Sequence, residues 1–115
     1  MAPDAIVILI TVPSPEAGER IARPLVEEHL AACVNLVPGA TSFFWWEGAV
    51  QVEAEALLIV KTRRHLFEAL AARVRALHPY TVPEIIAVPL AAGNQAYLDW
   101  IRDAVSRGGE SRPPA

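Results

Sequence analysis

The stretch from Val50 to Lys61 constrains this chain more than any other. Val50, Val52, Ala54, Ala56, Leu58 and Val60 recur at every second position, the period of a strand with one apolar face. The opposite face carries Gln51, Glu53 and Glu55, then turns apolar at Leu57 and Ile59 before Lys61. Upstream, residues 33–37 and 41–46 supply a partner strand, with a bend or bulge expected at Pro38-Gly39 and the reversal at Glu47-Gly48. At roughly 3.3 Å per residue, such a hairpin outruns a compact domain of this length. A long ribbon with unpaired edges invites pairing with another chain, so self-association is expected from the strand pattern alone.

A chain of 115 residues is expected to form one domain, here residues 1–106, followed by a flexible tail at 107–115 that lacks core-forming residues. The hydrophobic fraction of 53% is high for so small a domain, which agrees with apolar surface shared between subunits. A formal net charge of -3 argues against a nucleic-acid partner, which needs a basic face to displace counterions. No apolar run approaches the roughly 20 residues of a membrane helix, and Met1-Ala2-Pro3-Asp4 carries no basic residue of a signal peptide. Cys33 is the single cysteine, which excludes an internal disulfide and any multi-cysteine cluster within one chain. The cytoplasm is the expected compartment.

The remaining elements follow from local chemistry. Residues 5–12 are apolar and β-branched, the pattern of a strand buried on both faces. Ser14-Pro15-Glu16 opens a helix with Ser14 as N-cap, and its apolar stripe (Ala17, Ile21, Ala22, Leu25, Val26, Leu30) persists across Pro24. Thr62 is expected to cap a second helix that ends at His78, because Pro79 disfavours helical backbone before it. Residues 84–90 form a fourth strand, and Gly93-Asn94 precedes a last helix with Tyr97, Leu98, Ile101, Ala104 and Val105 on one face. The order β-α-β-β-α-β plus a C-terminal helix predicts an α+β, ferredoxin-like domain: an antiparallel sheet with two helices on one face. Leu57 and Ile59 imply that the last helix or another subunit covers the other face.

The segment His78-Pro79-Tyr80-Thr81-Val82-Pro83-Glu84 is the best candidate for a site. Its prolines stiffen a connection that presents an imidazole, a phenol and a carboxylate at the sheet edge. Imidazole and carboxylate suit Cu²⁺ or Zn²⁺. The bland alternative has His78 capping the C-terminus of the helix and Glu84 hydrogen-bonded or paired with an arginine or Lys61. Cys33 has no basic neighbour in sequence and reads as a small buried hydrophobe. Phe43-Phe44-Trp45-Trp46 lacks the glycines and basic residue of an RNA-stacking strand and reads as packing surface. His29 and His65, near helix ends, read as capping or solvated groups. No phosphate loop or Ser-His-Asp arrangement stands out, and Val12-Pro13-Ser14-Pro15-Glu16 cannot cradle an anion as an acylphosphatase-like enzyme requires, so no enzyme activity is expected.

Leu30-Ala31-Ala32-Cys33-Val34-Asn35, Pro38-Gly39, Ser42, Trp46-Glu47-Gly48, Lys61-Thr62, His78-Pro79-Tyr80, Pro83-Glu84-Ile85-Ile86 and Tyr97-Leu98-x-Trp100 together resemble the CutA family, in the family's order and from about Ile6 to Ile101. The resemblance implies a ferredoxin-like fold and a tight homotrimer built by pairing the long hairpins. It also implies a role in divalent-cation tolerance, with copper (Cu²⁺) or another divalent cation bound and no organic cofactor. The positions matching the proposed metal ligands are His78 and Glu84. Some relatives carry a cysteine at the end of the first strand, where this chain has Ile8-Leu9-Ile10-Thr11, a departure that weakens a Cu⁺ site in particular. Phe44 stands where the family often has tyrosine, and Trp45 where a polar or basic residue is common. The alternative is a signalling or scaffolding trimer like the PII proteins, binding a small ligand or protein partner in clefts between subunits lined by Lys61, Tyr80, Glu84 and Trp46. The sequence names no particular protein partner.

Overall fold

A computed structural model describes residues 3–106, so the tail expected at 107–115 lies outside the described residues. Alternation dominates the first strand: in β1 (Ala5–Val12), Ile6, Ile8, Ile10 and Val12 are buried, whereas Val7, Leu9 and Thr11 are only partly covered. Burial on both faces, expected from the apolar run, is therefore met on one face only. Helix α1 (Pro15–Glu27) starts as its sequence dictates, with the Ser14 hydroxyl accepting the Ala17 N–H at 3.2 Å. Pro24 lies inside α1 without ending it, and Ala17, Gly18, Ile21 and Leu25 face the core while Val26 stays exposed. His29 then takes the left-handed conformation (φ 60°), and its Nδ1 lies 3.0 Å from the Ala104 carbonyl oxygen.

Strands β2 (Cys33–Trp46) and β3 (Ala49–Arg63) form the long hairpin. Glu47 (φ 50°) and Gly48 (φ 77°) make the two-residue left-handed turn whose twist suits an antiparallel pair. The expected irregularity is a bulge: Val37 pairs with Leu57 but Ala40 with Glu55, so β2 holds one extra residue at Pro38-Gly39. That residue reverses the parity of β2. Val34 and Leu36 share the helix-covered face with Val60 and Leu58, whereas beyond the bulge Phe43 and Trp45 take that face, opposite Val52 and Val50.

Thr62 is not the cap of the second helix. It belongs to β3, is fully buried, and donates its hydroxyl to the Leu30 carbonyl at 2.7 Å. A 3-10 turn (Arg64–Leu66) intervenes before α2 (Phe67–Leu77), which His78 closes. Arg73 of α2 holds the Glu28 carboxylate through both oxygens at 2.8–2.9 Å, and this bond keeps the Glu28 carboxyl below its ordinary range. Strand β4 (Ile85–Pro89) is shorter than expected and leaves Glu84 and Leu90 outside. Asn94 caps α3 (Gln95–Val105).

The strand order β2-β3-β1-β4, antiparallel throughout, is the ferredoxin-like arrangement. Both α1 and α2 pack on the face bearing Ile8, Ile10, Leu58 and Val60 to form the main core. On the other face α3 covers only the end around Ala5, Ala32 and Cys33. Leu57 and Ile59 stay half-covered there, and Val37, Ile86 and Val88 are exposed. The hairpin extends past both helices, giving principal extents of 45 × 27 × 26 Å and a radius of gyration of 14.9 Å, against about 13 Å for a compact chain of this length.

Gly18 sits where α1 presses on the sheet. A Cβ there would lie 3.1–3.3 Å from Leu36, Val12 and Leu58 at once. Gly18→Val is expected to overpack this contact and cost about 1–3 kcal/mol, read as a lower urea midpoint with an unchanged m-value.

Candidate functional site

The candidate segment begins where α2 meets the sheet. His78 is buried, with Nε2 2.7 Å from the Thr11 carbonyl oxygen and Nδ1 3.0 Å from the Tyr80 backbone nitrogen. A carbonyl only accepts and an amide only donates, so these partners assign an Nε2–H ring whose Nδ1 lone pair is taken by Tyr80 N–H. The ring also packs against Tyr80, with centroids 4.8 Å apart. In this fold the His78 ring locks the connection onto β1 rather than onto the carbonyls that end α2, and has no lone pair left for a metal.

Tyr80 carries the connection onward to the hairpin. Its hydroxyl donates to Glu55 Oε2 at 2.7 Å, beside the bulge. Partial burial, this bond and the charges of Glu55 and Glu53 push the phenol up to about 12. Glu84 is exposed just before β4. Lys61, offered as its partner, instead bonds to the Asn35 side-chain oxygen and approaches Cys33 Sγ at 4.0 Å. Cys33 is half-buried beneath α3, where burial and the nearby thiol raise the Tyr97 phenol.

The residues expected to line a cleft do not converge within one chain. Lys61, Glu55 (which holds Tyr80) and Ala49 (opposite Trp46) lie six residues apart along β3, so about 20 Å separates each from the next. Trp46 stands exposed near the hairpin tip. Among the described residues no three His, Cys, Asp or Glu side chains are grouped to hold a metal. Within the described residues one chain therefore presents neither a closed metal site nor a cleft of the expected composition.

Sequence reasoning missed the Tyr80–Glu55 bond and the Cys33–Lys61 neighbourhood. Cys33 and Lys61 are direct partners in the β2–β3 register, as are Asn35 and Ile59, but that register is readable only once the bulge and turn are placed. No local signal links Tyr80 to a residue 25 positions upstream.

The phenol values carry a pH dependence. A group held above its ordinary value of 10.0 stabilises the native state fully below pH 10 and loses that contribution as pH climbs towards 12. Tyrosinate absorbance of the native protein is expected to develop above pH 10, later than in urea. Tyr80→Phe is expected to remove the later part of that titration and flatten the alkaline loss of stability.

No helix among the described residues is long and apolar enough to cross a membrane. The family model described as CutA1 divalent ion tolerance protein matches residues 6–104. The divalent-cation tolerance protein CutA of Thermus thermophilus is 61% identical over 97 residues, spanning 84% of this chain and 94% of that protein. Protein CutA 1, chloroplastic, of Oryza sativa is 53% identical, and the match spans 87% of this chain but 56% of that longer protein. The crystal structure of Oryza sativa CutA1 superposes with a TM-score of 0.87 at 50% identity, covering 93% of this chain and 97% of that one. The Thermus thermophilus structure superposes at 0.83 with 60% identity, covering 84% and 94%. Fold, sheet order and sequence blocks agree, and the chain belongs to the CutA1 divalent ion tolerance family.

Proposed function

We propose that this chain serves divalent-cation tolerance as a cytoplasmic homotrimer that works by binding rather than catalysis, with Cu²⁺ the first ion to test. The observation that carries the reading is the hairpin. Phe43, Trp45, Trp46, Val50 and Val52 are all more than half exposed on strands that outrun their own helices. A folded chain keeps such a surface when another chain covers it. The divalent-cation part rests on family membership and on the names of relatives such as the Thermus protein. Ion binding is assigned to clefts completed by neighbouring copies. Glu84 offers an exposed carboxylate there, and His78 ligates only by releasing the Tyr80 N–H.

A second reading is favoured by one specific observation: both His78 ring nitrogens are already spent on structure. On that reading the trimer takes a small ligand or a protein partner in its clefts, near Lys61, Tyr80 and the Trp46 of another copy, and metal is incidental.

Native mass spectrometry of chelator-stripped protein, titrated with Cu²⁺ and then Zn²⁺, separates these readings. The expected result is three copies that take up a fixed number of ions, a number lowered by Glu84→Ala and by His78→Ala. A trimer without stoichiometric uptake overturns the metal reading in favour of the second. A monomer at micromolar concentration overturns both.

A further inference from the structure

Cys33 opens β2, and Lys61 lies directly across from it in β3. Directly opposed side chains of an antiparallel pair share a face and stand about 4.5–5.5 Å apart at Cβ. Here Lys61 Nζ reaches to 4.0 Å from Cys33 Sγ, and the Asn35 side-chain oxygen, two residues along the same face, holds the ammonium there. Both side chains are partly exposed, so a small solute reaches them. We propose that this pair is a reversible redox site. Hydrogen peroxide oxidises Cys33, and the Lys61 amine traps the oxidised sulfur as a sulfenamide that bonds β2 to β3. The site lies within one chain and does not depend on assembly.

The surroundings favour an oxidation that stops at the trapped state. Cys33 is the single cysteine, so the chain holds no second thiol to resolve a sulfenic acid. Lys61 is the nucleophile in contact with it, and its flexible four-carbon stem closes the remaining distance. Tyr97 of α3 meets the same thiol, and Trp100 packs on Tyr97 with ring centroids 5.3 Å apart. Trp100 is only 9% exposed, yet its indole N–H has no acceptor among the described residues. Cys33 packs against the cluster that holds this orphan donor. An oxygen carried on Sγ is an acceptor of the kind that cluster lacks, which favours the sulfenic intermediate.

The chemistry balances in two stages. Sγ displaces water from peroxide: an S–O bond forms, the O–O bond breaks, and sulfur gives up two electrons to the peroxide. Lys61 then sheds its ammonium proton and attacks the sulfur. The S–N bond forms as the S–O bond breaks, and the hydroxyl leaves as water with a second proton from nitrogen. A dithiol reverses the bond, returning thiol and amine while becoming a disulfide itself. The bonded nitrogen carries no positive charge, so peroxide switches off a cation on the sheet face beside α3.

Intact mass of the full folded chain, after a few equivalents of hydrogen peroxide at neutral pH, tests the site. The expected product is lighter by two hydrogens and returns to its starting mass with dithiothreitol. In a chain with one cysteine, no internal disulfide explains that loss. Chymotrypsin cuts after the aromatic residues from Phe43 to Trp46, and the Cys33 and Lys61 peptides are expected to stay joined. Lys61→Arg keeps the charge and, once circular dichroism shows it folded, is expected to lower the lighter product at least tenfold. Its Cys33 is expected to run on to sulfinic acid, which adds two oxygens. A wild-type chain that only gains oxygens, or that stays unmodified, overturns the proposal. So does a two-hydrogen loss that survives Lys61→Arg, which places the bond on a backbone nitrogen. A disulfide joining Cys33 of two copies as the main product also overturns it.

Discussion

The β2–β3 register governs the rest of the molecule. While Val34 and Leu36 face Val60 and Leu58, the hairpin is an ordinary part of a two-layer core under α1. One extra residue at Pro38-Gly39 then changes which β2 side chains look towards the helices. Past that point no helix among the described residues covers them, and the strands carry aromatic rings into solvent on both faces. Apolar burial at about 25 cal/mol per Å² makes that arrangement costly for a lone chain and favourable for an associated one. The elongated shape and the exposed apolar surface thus share a single local cause.

Much of this was legible in the sequence because it depends on periodicity. The six alternating residues from Val50 to Val60, the Ser14-Pro15-Glu16 helix start and the Glu47-Gly48 reversal all reappear in the fold, and so does the bulge. What failed was whatever depends on long-range neighbours. Thr62 has the chemistry of an N-cap, yet β3 continues through it because the buried hydroxyl finds the Leu30 carbonyl. Residues 5–12 looked buried on both faces because composition cannot show that α3 covers only one end of the second face.

The candidate site illustrates the same division. The stiff segment from His78 to Glu84 is where sequence placed it, at the sheet edge. Its hydrogen bonds, however, turn His78 into a clamp on Thr11 and Tyr80 into a strut to Glu55. The strut meets the hairpin beside the bulge, so the segment supports the hairpin where it leaves the helix-covered core. The His78 and Tyr80 bonds thus link the connection before β4 to the hairpin, and a change that breaks them acts on both.

The central claim is that the outer edge of β2 beyond the bulge is not free in solution. Hydrogen–deuterium exchange of the backbone amides between Ala40 and Trp46 reads this directly, since the outward-pointing half has no acceptor within its own sheet. Slow exchange at those outward amides, speeding up on dilution as copies separate, is the expected result. Fast exchange at every concentration would mean an edge open to water, and would contradict assembly through the hairpin.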